Sequence, residues 1–235
     1  MVSHFHKCIF IHIPKTAGTS LWGIVNASQD NNKTDQLLLS FKPDDYKFDP
    51  PPPHLRASDY IKYDRVPKEL FDSYFKFAFV RNPWDRLVSE YRYRMHAHEY
   101  SFKEFLFEHF PKPSWNDEYC HVIPQYDFLH DEKGNLLVDF VGRFETLQED
   151  FFYVCEKLNI KKRVLLHRNK STSIFNRRDN RPMKMLRSTR DKLSINYRRN
   201  TFKKFTDYYD AESIDFVAKI YKKDIETFGY KFEDK

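Results

Sequence analysis

The sequence predicts an α/β fold in which a central parallel sheet is flanked by helices. Apolar, β-rich runs at residues 8–13, 75–80 and 136–144 each end in a polar turn. Behind each turn, apolar residues resume at helical spacing, the alternation expected of a parallel sheet. The 235 residues include 23 Phe and 15 Tyr, enough for one sizeable, Phe-rich core. With no internal repeat and no dividing linker, residues 1–235 read as a single domain.

The first run, Cys8 to Ile13, stops at Pro14. Lys15, Thr16, Ala17, Gly18, Thr19 and Ser20 follow, and residues 19–28 carry helical spacing. Backbone N–H groups at a helix start favour an anion there. Lys15 adds a charge, Thr19 and Ser20 add hydroxyl donors, and Gly18 permits close backbone approach. The order is not that of a Walker A loop, whose lysine follows its last glycine. An ordinary strand-to-helix turn is the plainer reading of this stretch taken alone. Residues 29–53 turn polar and end in Pro50-Pro51-Pro52-Pro53, a stiff extended run that leads directly into His54.

The second run, 75–80, meets Arg81-Asn82-Pro83-Trp84-Asp85-Arg86. Asn82 suits an N-cap and Pro83 the first helical position. Trp84, Leu87, Val88, Tyr91 and Met95 then form a core-facing stripe. Arg81 and Ser89 bring a second set of anion-binding groups. Residues 101–110 read as a short helix, and 111–134 as loop containing His121, Gln125 and His130. The third run leads to Thr146-Leu-Gln-Glu149, the pattern of a capping box, with Leu147, Phe151, Val154, Cys155 and Leu158 on one face behind it. Residues 176–204 are strongly basic and read either as a solvated loop or as a mobile insertion closing over an anion. A final helix places Ile214, Val217, Tyr221, Ile225 and Phe228 inward, with Gly229 as its C-cap.

Charged residues make up 31% of the chain, which excludes neither a core nor solubility, and the net charge of +6 suits anionic ligands. Cys8, Cys120 and Cys155 are too few and too scattered for a disulfide framework or a thiolate metal site, and read as reduced core residues. No run is long enough to span a bilayer. The expected location is the cytoplasm for a complete chain, or the Golgi lumen for a segment of an anchored parent.

The two anion motifs, in this order, carry a specific resemblance. His12-Ile-Pro-Lys-Thr-Ala-Gly-Thr-Ser20 resembles the phosphosulfate loop of PAPS-dependent carbohydrate O-sulfotransferases, the group that includes uronosyl 2-O- and chondroitin-type enzymes. Val80-Arg-Asn-Pro-Trp-Asp-Arg-Leu-Val-Ser-Glu-Tyr91 resembles their 3′-phosphate motif, with Arg81 and Ser89 eight residues apart. Asp139–Glu145 and Asp224–Tyr230 also have the family's look. The resemblance implies a P-loop-like three-layer core and the donor 3′-phosphoadenosine 5′-phosphosulfate (PAPS). It implies sulfuryl transfer to a hydroxyl, most readily a carbohydrate's, with no metal required. Pro14 through Ser20 would hold the 5′-phosphosulfate, with Lys15 catalytic at the leaving group; Arg81 and Ser89 would hold the 3′-phosphate. In the uronosyl 2-O-type enzymes the base lies shortly before the second motif's strand, where His54 stands here. His12 and His121 are the alternatives, and Glu90 would serve a mechanism without histidine. Gln125 is a candidate acceptor contact. Leu21 stands where cytosolic relatives place an adenine-stacking tryptophan, with Trp22 one position later.

No His, Asp or Glu cluster has metal-ligand spacing in the sequence. The acceptor is expected to be a carbohydrate or other hydroxyl compound, suited to acidic character by the basic surface, and no nucleic-acid partner is expected. Two other classes remain open: a nucleotide-dependent kinase or phosphatase, and a basic nucleic-acid-binding protein using residues 161–204.

Overall fold

The structure is a computed structural model that describes residues 1–18, 20–21, 54–94, 96, 99–114, 117–165 and 204–233. Its sheet has four strands in spatial order β1 (Val2–Ser3), β2 (Cys8–Ile11), β3 (Phe75–Val80) and β4 (Phe140–Arg143). β2, β3 and β4 run parallel, with Phe10 opposite Phe77 and Ala78 opposite Val141. β1, which the sequence pattern does not announce, pairs antiparallel to β2 over two residues. The third strand is shorter than the expected 136–144.

Alternation along β2 and β3 divides the core between two faces. Ile9, Ile11, Ala78 and Val80 point to one cluster, and Cys8, Phe10, Phe77 and Phe79 to the other. The first is covered by α3 (Pro83–Tyr93) through Trp84, Leu87, Val88 and Tyr91, and by the C-terminal helices through Val217, Tyr221 and Phe228. The second is covered by Phe151, Val154 and Cys155 of α7 (Leu147–Lys157), and by Leu21. This is the expected helix–sheet–helix layering. Each fully buried Phe contributes about 1.5–3 kcal/mol from burial. Gly142 lets the Phe79 ring lie across β4, since a Cβ there would stand 2.6 Å from that ring. Cys8, Cys120 and Cys155 are all buried and unpaired, as expected.

Two short helices precede β3: α1 (Asp59–Lys62) and α2 (Lys68–Ser73). Between α3 and β4 lie α4 (Phe102–Phe107), α5 (Asp117–Val122) and α6 (Gln125–Leu129), so the expected loop at 111–134 in fact carries two helices. Asn82 caps α3, accepting from the N–H groups of Trp84 and Asp85, with Pro83 in the first turn. The capping box expected at Thr146 is absent. Thr146 donates its hydroxyl to Asp150 Oδ2 at 2.7 Å, and the same oxygen accepts from Arg143 N. A capping box instead closes α4, where Ser101 and Glu104 exchange bonds. The single C-terminal helix read from the sequence is two, α8 (Ala211–Ile220) and α9 (Lys222–Phe228), hinged at Tyr221 and ended by left-handed Gly229. The expected helix at 19–28 is described only at its start, and Met95, the proline run and residues 176–203 lie outside the described residues. Among the described residues, no helix is long and apolar enough to cross a membrane.

Parallel strands send their carboxyl ends to one edge, where α/β proteins place their ligands. Here the loops after β2, β3 and β4 meet at that edge. Asn82 N donates to Glu145 Oε1 at 2.7 Å, and Arg81 Nη1 donates to the Lys15 carbonyl at 3.1 Å. Arg86, almost wholly buried, holds the junction together. Its Nε donates to Pro14 O (3.1 Å), its Nη1 to Ile123 O (3.0 Å) and its Nη2 to His121 O (2.8 Å). A planar guanidinium reaches three carbonyls in fixed directions, whereas an ammonium does not. Arg86→Lys is expected to lower the unfolding free energy by about 2–4 kcal/mol through carbonyls left unsatisfied, measured by denaturant titration.

Candidate functional site

The loop after β2 carries unusual backbone. Lys15 and Ala17 both have φ near 68°, the left-handed region that side chains ordinarily avoid. Such strain persists only where surrounding structure enforces it, and it clusters at ligand sites. Alternating left-handed residues also turn successive N–H groups toward one concavity, an anion-binding arrangement. Helix begins at Gly18. Arg86 anchors the loop through the Pro14 carbonyl, and Thr16 anchors it from within, its buried hydroxyl donating to Ile13 O at 2.9 Å. The Thr16 side chain is therefore a brace. The N–H of Ser20 donates to Ala17 O at 2.9 Å, which spends it within the first helical turn rather than on the expected 5′-phosphate. Thr19 lies outside the described residues.

Gly18 has a second role. A Cβ there would sit 2.0 Å from His12 Nε2, so the missing side chain makes room for the His12 ring. That ring stacks on Phe10 and lies 4.6 Å from the ring of His54. The His54 ring in turn meets His121 edge-on at 5.0 Å. All three histidines considered from the sequence are thus in one cluster. Burial, and then the neighbouring imidazoles, push His12 well below the usual range. His12 Nδ1 is buried and has no hydrogen-bond partner among the described residues.

His54 is buried, with Nδ1 3.1 Å from the His12 carbonyl. An oxygen can only accept there, so Nδ1 carries the proton and Nε2 keeps its lone pair. Burial first, and then the charge of His121, push His54 down to about 4. It is therefore neutral and able to accept a proton at physiological pH.

Glu90, the carboxylate named from the sequence as an alternative to histidine, completes the cluster together with Tyr93, Arg94 and Asp117, which the sequence did not single out for chemistry. Glu90 Oε2 accepts from His121 Nδ1 at 2.8 Å, and Glu90 Oε1 accepts from Arg94 Nε at 2.9 Å. Burial alone would raise the Glu90 carboxyl. The bonds from His121 and Arg94, with the charge of Lys15, override it and hold the group below its ordinary value. Arg94 also pairs with Asp117, whose Oδ1 is 3.5 Å from His121 Nε2. Tyr93 links this group to the loop: its ring stacks on His121 at 5.7 Å, and Lys15 Nζ lies 3.6 Å from its centroid. Lys15, Tyr93, His121, His54 and His12 therefore form one continuous series of contacts. Two of these contacts, Glu90–Arg94 and Asp117–His121, follow i,i+4 spacing, which was legible. That they converge on His54 was not.

Arg81 lies at the other side of the loop. Its Nε and Nη2 engage Asp85 at 2.8 and 2.7 Å, its Nη1 engages the Lys15 carbonyl, and its guanidinium stacks on Phe144 at 4.0 Å. A guanidinium has five N–H donors, so these contacts orient it without using all of them. Ser89 is half-buried on α3, next to Glu90 in sequence. Gln125 is not an acceptor contact. It is fully buried, its amide bonds to Arg81 N and O at 2.8 Å each, and Asp224 Oδ2 accepts from both its backbone and its side chain.

Comparison with known proteins supplies the family. A family profile described as "Sulfotransferase family" matches residues 1–231. A protein of Archaeoglobus fulgidus described as an uncharacterized protein is 39% identical over 101 residues, 41% of this chain and 78% of that protein. No solved structure matches. With the profile spanning almost the whole chain, from the strained Lys15 loop to the residues that follow Gly229, the chain belongs to the sulfotransferase family.

Proposed function

We propose that the protein transfers the sulfuryl group of PAPS to a hydroxyl of an acceptor, most naturally a carbohydrate, by in-line displacement. The observation that carries this reading is the series of contacts from Lys15 to His54: a fixed cation and a neutral imidazole on one site, joined through Tyr93 and His121. The donor's two anionic ends suit the groups available. The left-handed turns at Lys15 and Ala17 form a concavity of N–H groups for the 5′-phosphosulfate, at a loop too tight for a side chain on Gly18. Arg81, pre-oriented by Asp85 and Phe144, offers its remaining N–H groups to the 3′-phosphate, with the Ser89 hydroxyl assigned beside it.

His54 Nε2 takes the proton of the acceptor hydroxyl. As the acceptor oxygen bonds to sulfur, the bond from sulfur to the 5′-phosphate oxygen breaks, and its electron pair stays on that oxygen. Lys15 neutralises the charge that develops there. Both groups are held before substrate arrives, so little reorganisation accompanies the transfer. The positive loop and net charge of +6 favour an acceptor that itself carries acidic groups.

The donor reading is checked by thermal shift. 3′-Phosphoadenosine 5′-phosphate (PAP) at about a hundred times its dissociation constant should stabilise the fold by about 2.7 kcal/mol, whereas Mg-ATP and an oligonucleotide should not. Stabilisation by Mg-ATP without PAP would favour a kinase. In a sulfate-transfer assay, Lys15→Ala should lower kcat by about a hundredfold or more, and His54→Ala by about a hundredfold. Gly18→Ala should weaken PAP binding and lower stability together, because its Cβ must displace His12 from beside His54. The pH profile reports the base: kcat/KM should stay level through neutral pH and fall only as pH drops through about 4, where His54 gains its proton. An acid limb at the ordinary imidazole value, about 6.5, would remove His54 from that role.

A further inference from the structure

We propose that His54, Asp117 and His121 form a binding site for a divalent transition-metal ion of the zinc class, and that a bound ion silences His54 as a base. The silencing rests on the role assigned to His54 above; the metal site does not.

One ligand atom from each of the three residues lies within 4.8 Å of the others. His121 Nε2 and Asp117 Oδ1 are 3.5 Å apart. Bonds of about 2.0–2.1 Å at tetrahedral angles set ligand atoms about 3.3 Å apart, so this edge needs little adjustment. Asp117 is more than half exposed and opens α5, so it has freedom to close on an ion; the two histidines are buried and fixed.

The surroundings match what ligand histidines require. Each ring has its Nδ1 committed to an acceptor: His121 to Glu90 Oε2 at 2.8 Å, His54 to the His12 carbonyl at 3.1 Å. Each therefore leaves Nε2 as the nitrogen turned to an ion, and a carboxylate behind a histidine raises its basicity as a ligand. Arg94 bonds both Glu90 and Asp117, holding the outer and the inner carboxylate in register. Two imidazoles and one carboxylate favour zinc, copper or nickel over magnesium or calcium, and three protein ligands leave a position open. Coordination uses the same His54 lone pair that would accept the hydroxyl proton, so ion and proton transfer exclude one another.

Chelator-treated protein titrated with Co2+ should bind one equivalent with visible d–d absorption, and Zn2+ should displace it. Asp117→Asn, at an exposed side chain, should weaken binding by more than about tenfold, and Glu90→Gln by about 10–100-fold. A His4→Gln/His6→Gln double variant should bind as wild type. Absence of a stoichiometric cobalt spectrum, or its survival in both Asp117→Asn and His121→Gln, would overturn the site. Saturating Zn2+ should lower sulfate transfer by about a hundredfold, reversibly with EDTA. Undiminished transfer by the zinc-saturated enzyme would overturn the silencing. One equivalent of cobalt in a protein that PAP does not stabilise would support the metal site and remove the donor reading. An active, PAP-stabilised enzyme that takes up no cobalt would do the reverse.

Discussion

The buried guanidinium of Arg86 is the contact on which the candidate site depends. It joins a carbonyl of the Lys15 loop to two carbonyls at the end of α5. A buried cation is costly, and here three carbonyl dipoles offset the cost, with the carboxylate of Asp224 contributing at longer range. The geometry has a functional result. Pro14 stands beside Lys15, and His121 stands beside His54, so one side chain sets the spacing between the two sides of the site. Neither side is secured by the sheet alone, since β2 ends at Ile11, before the loop begins.

Strain and support are matched around that junction. The left-handed turns at Lys15 and Ala17 are held by Thr16 below, by Arg86 behind and by Arg81 across the loop. Arg81 is itself fixed at its backbone by Gln125, and Gln125 by Asp224. Burial raises the Asp224 carboxyl, while the N–H of Tyr126, the charge of Arg86 and the bonds from Gln125 act against that rise. The groups proposed to bind the anionic donor are thus the outer ends of a buried polar network, which would preorganise them.

Local signals made the frame legible. β3 and the start of α3 follow from the Phe alternation and from Asn82-Pro83, because strand period and helix caps are encoded within a few residues. Lys15, Arg81 and His54 were legible as candidates because charged and imidazole groups stand at strand ends or after the proline run. The Thr146 capping box was not formed because Asp150 offers that hydroxyl a stronger, charged acceptor. Gln125 looked available in sequence because its partner, Asp224, is 99 residues away. The ring contacts among His12, His54 and His121 were illegible for the same reason: chain folding, not spacing, brings 12, 54 and 121 together. Glu90 and Arg94 could be read as a helical ion pair, but not as the support of a histidine on another helix.

The bond between Asn82 Nδ2 and the carbonyl of Lys231, at 2.9 Å, and the grip of Asp224 on Gln125 have a consequence in time. Synthesis proceeds from the amino end, so the Lys15 loop, Arg81 and the histidines all leave the ribosome long before residues 224 and 231. Until residues 224 and 231 emerge, Gln125 lacks the Asp224 carboxylate and Asn82 lacks the Lys231 carbonyl. The nascent chain therefore exposes the groups proposed for the site before two of the contacts that brace them are available.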